Sequence, residues 1–174
     1  MIGQSVIYGL HGKCSVIAIE SRTDGNASKV FYKLEKVRSA LSRSARPEPA
    51  IWVPVDSAPA LGLRAPLSAQ GADAVFEILQ SKEYHFSLNE PWTATYATLE
   101  RAIKTEGALG LAKAFGFLHV LRKKQVVPTP EVNRAFEQVQ KLLSRELCEA
   151  LSVAPRDLNE RIEKAVRHKL KPDH

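Results

Sequence analysis

Five histidines, His11, His85, His119, His168 and His174, and two cysteines, Cys14 and Cys148, carry the widest chemical repertoire in this 174-residue chain. Their spacing does not gather them. No pair of cysteines or histidines stands at a separation that a zinc site uses, and the two cysteines are far apart. There is no Gly-x-Ser-x-Gly elbow, no His-Glu-x-x-His helix and no glycine-rich phosphate loop. No nucleophile, base and orienting group can be assembled from neighbours in sequence. The expectation is a protein without catalytic residues, metal or cofactor. Its cysteines serve as small apolar side chains in a reduced, cytoplasmic compartment. His119 reads as a structural histidine on a helix.

Recognition chemistry is better represented. Trp92 follows Asn89-Glu90-Pro91 and stands four residues before Tyr96. It either extends the buried stripe formed by Tyr96, Leu99 and Ile103, or sits at the exposed end of that stripe as an aromatic offered to a partner. Arg122-Lys123-Lys124 either complements the dipole at a helix C-terminus or contacts phosphate. Arg38, Arg43 and Arg46 lie in a loop, either merely solvated or facing an acidic partner. Glu160 and Lys164, like Lys141 and Arg145, are four apart on helix faces and read as solvated.

The net charge of +6 and pI near 9.4 permit an acidic partner without requiring one. Residues 1–66 hold 9 basic and 5 acidic side chains, and residues 67–174 hold 16 and 14. The basic excess therefore lies in the first part of the chain. Apolar residues at 44% suit a globular protein with a core. No signal or transit peptide and no long apolar run is present, so a membrane protein is not expected.

The elements that must position these groups change character along the chain. Ser5–Tyr8, Lys13–Ser21, Lys29–Val37 and Ile51–Val55 read as strands, with a hairpin turn at Thr23-Asp24-Gly25-Asn26. In the second strand Cys14, Val16 and Ala18 share one face and Ser15, Ile17 and Ile19 the other. In the third, Val30, Tyr32 and Leu34 oppose Phe31, Lys33 and Glu35. Together they predict a bent antiparallel sheet of four or five strands. Arg38–Pro49 is an exposed loop or extended hairpin. Leu63–Leu67 reads as a boundary, dividing the chain into residues 1–64 and 65–174.

Beyond it the apolar period becomes helical. Ser68 caps a helix over 69–81 with Val75, Phe76 and Leu79 inward. Pro91 suits the first turn of the Trp92 helix, and Gly107 its stop. A helix ending near Lys124 carries Leu111, Phe115 and Leu118, and close helix packing accounts for its Gly110 and Gly116. Thr129 and Pro130 start a long helix to about Leu151, and a last helix begins near Pro155. The expected fold is α+β: a small bent sheet or barrel, then a compact helical bundle.

The order of short motifs adds a resemblance. Ile2-Gly3-Gln4-Ser5-Val6-Ile7-Tyr8, His11-Gly12, Ile19-Glu20-Ser21-Arg22, Tyr32-Lys33-Leu34, Trp52-Val53-Pro54-Val55, Leu61-Gly62-Leu63-Arg64, Pro91-Trp92 and Leu142-Leu143-Ser144-Arg145-Glu146-Leu147 follow one another along the chain. Over about residues 2–167 this resembles the CarD/CdnL family of bacterial transcription regulators. The first part is similar to the polymerase-interacting module of the transcription-repair coupling factor.

The resemblance implies a Tudor-like N-terminal domain that docks on the RNA polymerase β subunit, with Arg22, Ile51, Trp52 and Pro54 as its contact residues. It implies a helical domain at promoter DNA on the upstream edge of the bubble, binding weakly and largely without sequence preference. Trp92 would be the wedge, with Lys104, Lys113, Arg122, Lys123 and Lys124 available for phosphate. A monomer is expected. Three departures stand out, the first being an Arg38–Pro49 loop longer than usual. Trp52 occupies a place where many relatives carry a second arginine, and Ala94 and Thr95 replace the basic residues that follow the family's tryptophan. The rival expectation is an adaptor whose helical domain binds protein and not DNA.

Overall fold

The computed structural model describes residues 1–25, 27–38, 46, 48–124 and 127–170. They form two compact units, Met1–Pro66 and Leu67–His174. The division falls two residues after the one expected from the sequence. The Arg38–Pro49 loop, with Arg43 in it, lies largely outside the described residues, as does His174.

The first unit is a five-stranded antiparallel sheet: β1 (Ser5–Tyr8), β2 (Gly12–Asp24), β3 (Ala27–Lys36), β4 (Ile51–Pro54) and β5 (Leu63–Arg64). Its order is β4-β3-β2-β1-β5. Cys14, Val16, Tyr32, Leu34, Val53 and Ala58 make the buried cluster on one face. The side-chain alternation expected for β3 is present, with Tyr32 and Leu34 buried between half-buried or exposed neighbours.

In β2 the expected alternation breaks. The register shifts between Val16 and Ala18, leaving Ile17 without a partner opposite. One extra residue reverses the facing of everything beyond it. Ala18, expected beside Cys14 and Val16, instead pairs with Lys33 on the outer face, and Ile19 pairs with Tyr32. The short β5 fell within the stretch read as a boundary. Its two residues pair with Ile7 and Tyr8, too few to leave a periodic signal.

The second unit contains α1 (Ala69–Gln80), α2 (Trp92–Glu106), α3 (Ala108–Lys124), α4 (Pro130–Leu151) and α5 (Pro155–Val166), closed by a 3-10 turn at Arg167–Leu170. Helix starts follow their local chemistry. The Ser68 hydroxyl accepts from the Gly71 N–H at 3.0 Å, and Thr129 accepts from the Val132 N–H at 3.4 Å. Pro91 is the extended residue before α2 (φ −57°, ψ 144°) and not part of its first turn. Gly107 ends α2 at φ 61°, a conformation that glycine adopts without steric cost.

α3 is the centre of the bundle. Ala108, Leu111, Ala112, Ala114, Phe115, Phe117, Leu118 and Val120 are all buried, so the helix is covered nearly all round and not along one stripe. It packs on α1, α2 and α4. Gly110 lies directly against α2: a Cβ there would stand 2.2 Å from the Ala102 carbonyl oxygen. Gly116 gives room to a side chain, that of Lys169, whose Cε would lie 2.8 Å from an added Cβ. Phe76, expected in the core, is half-buried under the Arg161 guanidinium, 4.7 Å from its ring centroid. Ala72, Val75 and Leu79 form the inward face of α1.

Candidate interaction site

The outer face of the sheet carries the more organised cluster. Residues opposite one another across a ladder share a face. Ala18 pairs with Lys33 and Lys33 with Trp52. Glu20 pairs with Phe31 and Phe31 with Pro54. Arg22 follows on the same side of β2, opposite Lys29. The face away from the core therefore presents Arg22, Lys29, Phe31, Lys33, Trp52 and Pro54, together with the acidic Glu20 and Glu35. Ile51 is different: it pairs with Leu34 and packs against the buried cluster. Of the four residues expected to contact a partner here, Arg22, Trp52 and Pro54 share the open face, and Ile51 lies on its reverse.

Within that face one contact stands out. The Arg22 guanidinium carbon lies 3.5 Å from the centroid of the Trp52 ring. Lys33 Nζ is 5.1 Å from the same centroid. Arg22 and Trp52 sit on strands separated by β3, and the right-handed twist of the sheet, with the length of the arginine, lets them meet. Arg22 is exposed and Trp52 and Lys33 half-buried. The indole thus holds one cation against its ring and has a second nearby, a cation–π arrangement. A guanidinium lying along a ring keeps its N–H donors pointing outward in its own plane, free to meet a carboxylate in bidentate fashion.

The tryptophan of the second unit is differently placed. Trp92 is half-buried, with its ring centroid 5.7 Å from that of Tyr96 and inclined at 45°. It is neither core nor freely projecting. Tyr96 titrates above its usual range because it is partly buried and because Glu100 is near. Just after it, Ala94 is exposed, whereas Thr95 is buried and faces inward.

The cations expected beside Trp92 divide by their surroundings. Lys113 pairs with Glu106. The Arg122 Nε–H donates to Asn133 Oδ1 at 2.9 Å, and its guanidinium covers Phe136 at 4.2 Å. This arginine pins α3 to α4. Lys104, in the last turn of α2, and Lys123 are exposed. Lys124 is exposed with its Nζ 5.4 Å from the Tyr84 ring. Trp92 starts α2 and Lys104 lies twelve residues along it, an axial separation of roughly 18 Å at the helical rise.

Two histidines lie partly within the bundle. His119 stacks on Phe115 at 6.1 Å and lies tilted beside Phe136 at 6.4 Å, and burial, with Lys123 and Arg122 nearby, holds its pKa below the ordinary value. His85 is likewise depressed, by burial and then by Lys113 and Lys169, and its Nε2 is buried without a hydrogen-bond partner. Lys169, which the sequence did not single out, is buried and donates to the carbonyls of Ser81 and Glu83 past the end of α1. Nothing local marks a lysine near the chain's end as an interior one. Cys14 is buried and Cys148 partly so.

Among the described residues, no group of three or more His, Cys, Asp or Glu is gathered as a metal site would need, and no helix is long and apolar enough to cross a membrane. No protein-family model matches the chain.

Proposed function

We propose that this chain is a non-catalytic transcription regulator of the CarD/CdnL kind. Its first unit is a Tudor-like module that docks on the RNA polymerase β subunit, and its helical unit stabilises the open promoter complex. The observation that carries the reading is the meeting of Arg22 and Trp52 on the open face of the sheet. These two positions belong to separate motifs, thirty residues apart, with nothing local to join them. Pro54 lies on the same face, and Lys33 adds a second cation.

The physical logic is one of differential binding. A ligand shifts an equilibrium only to the extent that it prefers one state. A tryptophan set against unstacked, bent DNA prefers the open form. Docking on polymerase raises the local concentration of the helical unit, so its own affinity for DNA can be weak. Trp92 at the start of α2, with Lys104, Lys123 and Lys124 exposed, is the group proposed for that contact.

Arg22→Glu tests the docking. The substituted side chain lies on an exposed face and leaves the core untouched, so the fold should persist while capture of polymerase in a pull-down is lost. Undiminished capture by that variant refutes the assignment.

One observation favours a second reading, an adaptor whose helical unit binds protein. Lys113 and Arg122 are engaged within the bundle, which thins the basic surface available to phosphate. A salt-sensitive DNA mobility shift in the presence of polymerase supports the first reading, and a shift that the added protein leaves unchanged supports the second.

A further inference from the structure

Trp52 stands where the resemblance would put a second arginine, and on charge alone its presence weakens that face. The contact geometry gives it another role. An arginine at the end of a strand loses the freedom of several rotatable bonds when it pairs with a partner, and that loss opposes binding. Here the guanidinium already rests on the indole at 3.5 Å, and the indole is half-buried on an edge strand. One face of the guanidinium is occupied by the ring, and its in-plane donors remain open. Lys33, whose Nζ lies 5.1 Å from the same ring, keeps positive charge at the site.

We infer that Trp52 is a positioning residue: it pre-orders Arg22 for a bidentate carboxylate, so the partner segment presents an Asp or Glu to one organised arginine. The inference rests on the docking reading above. The carboxylate partner belongs to that reading, and what is added is the assignment of Trp52 to the orientation of Arg22 in preference to direct contact.

The arrangement depends on an aromatic ring and not on bulk. Trp52→Phe keeps a ring, and Trp52→Leu keeps an apolar side chain without one. Both variants, with Arg22→Glu and Arg22→Lys, are to be measured for binding to purified RNA polymerase by titration, alongside melting temperature. Trp52→Leu is expected to melt with the wild type and bind about five- to tenfold more weakly, the loss of a cation–π contact and of its ordering effect. Trp52→Phe should retain most of the affinity. Arg22→Lys should lose more than Trp52→Phe, because an ammonium cannot pair in bidentate fashion.

A spectroscopic readout separates orientation from stability. Protons held over an indole face are shielded, so the Arg22 side-chain NMR signals should lie upfield in the free wild type. They should return to ordinary positions in Trp52→Leu. If Trp52→Leu binds like the wild type while Arg22→Glu does not bind, the positioning role is refuted and docking through Arg22 stands. If Arg22→Glu still binds, the docking reading itself fails. Ordinary Arg22 signals in the free wild type also overturn the positioning role.

Discussion

A single methyl group at Gly110 should weaken the bundle that carries Trp92. The Cβ of Gly110→Ala would stand 2.2 Å from the Ala102 carbonyl oxygen, 2.6 Å from its carbon and 2.9 Å from Ile103 Cα. All three are backbone atoms of α2, so no side chain can rotate aside. An unstrained carbon–oxygen approach is about 3.3 Å or more, and α2 must therefore retreat by about 1 Å along this seam. Overpacking of that kind costs about 1–3 kcal/mol and sometimes more. Against it stands the gain of about 1 kcal/mol from replacing a mid-helix glycine with alanine. Because the clash is with backbone, the cost lies near the upper end of that range, and the net expectation is a loss of about 2 kcal/mol.

Urea unfolding followed by far-ultraviolet circular dichroism should show a lower midpoint at unchanged slope. Gly116→Ala is the control. Its Cβ meets the flexible end of Lys169, with Cε at 2.8 Å and Nζ at 3.4 Å. That end can move, so the loss should be smaller than for Gly110→Ala. A Gly110→Ala midpoint equal to or above the wild type refutes the close α2–α3 approach as the reason for this glycine.

Two further outcomes follow from the same structure. Trp92→Ala should cost about 1–3 kcal/mol, between an exposed and a core tryptophan, because it removes a half-buried ring and its pairing with Tyr96. Open-complex lifetime should shorten at a temperature where the variant is still folded, and an unchanged lifetime there rules out the wedge. Stability should also fall on acidification. His85 and His119 have folded-state pKa values below that of an unperturbed histidine, about 6.5, so the unfolded chain takes up protons first. Their contribution is complete above about pH 6.5 and is lost as pH falls through the folded values. The urea midpoint should be lower at pH 5.5 than at pH 7.5, and His119→Gln should show a smaller difference. An equal difference in that variant refutes the role of His119.

Much of the fold was legible because it is written in short-range chemistry. The Thr129-Pro130 start of α4 needs only a hydroxyl and a ring with the right φ, and of the helically spaced stripe Val132, Phe136, Val139, Leu143, Leu147 and Leu151 all are buried except the half-buried Leu151. The alternation in β3 and the stop at Gly107 belong to the same class. The composition likewise placed an apolar core in the chain.

What only the tertiary structure decided depends on residues far apart in sequence. The bulge at Ile17 is set by the β3 strand it faces, and it moved Ala18 and Ile19 to faces opposite those their alternation implied. The all-round burial of α3 reflects the neighbours that cover it, and the interior place of Lys169 reflects carbonyls of Ser81 and Glu83 more than eighty residues earlier. Only the resemblance set Arg22 and Trp52 on one docking domain, and nothing in their spacing joins them. Their stacking exists because a twisted sheet brings β2 and β4 within an arginine's reach across β3, a distance that spacing along the chain does not encode.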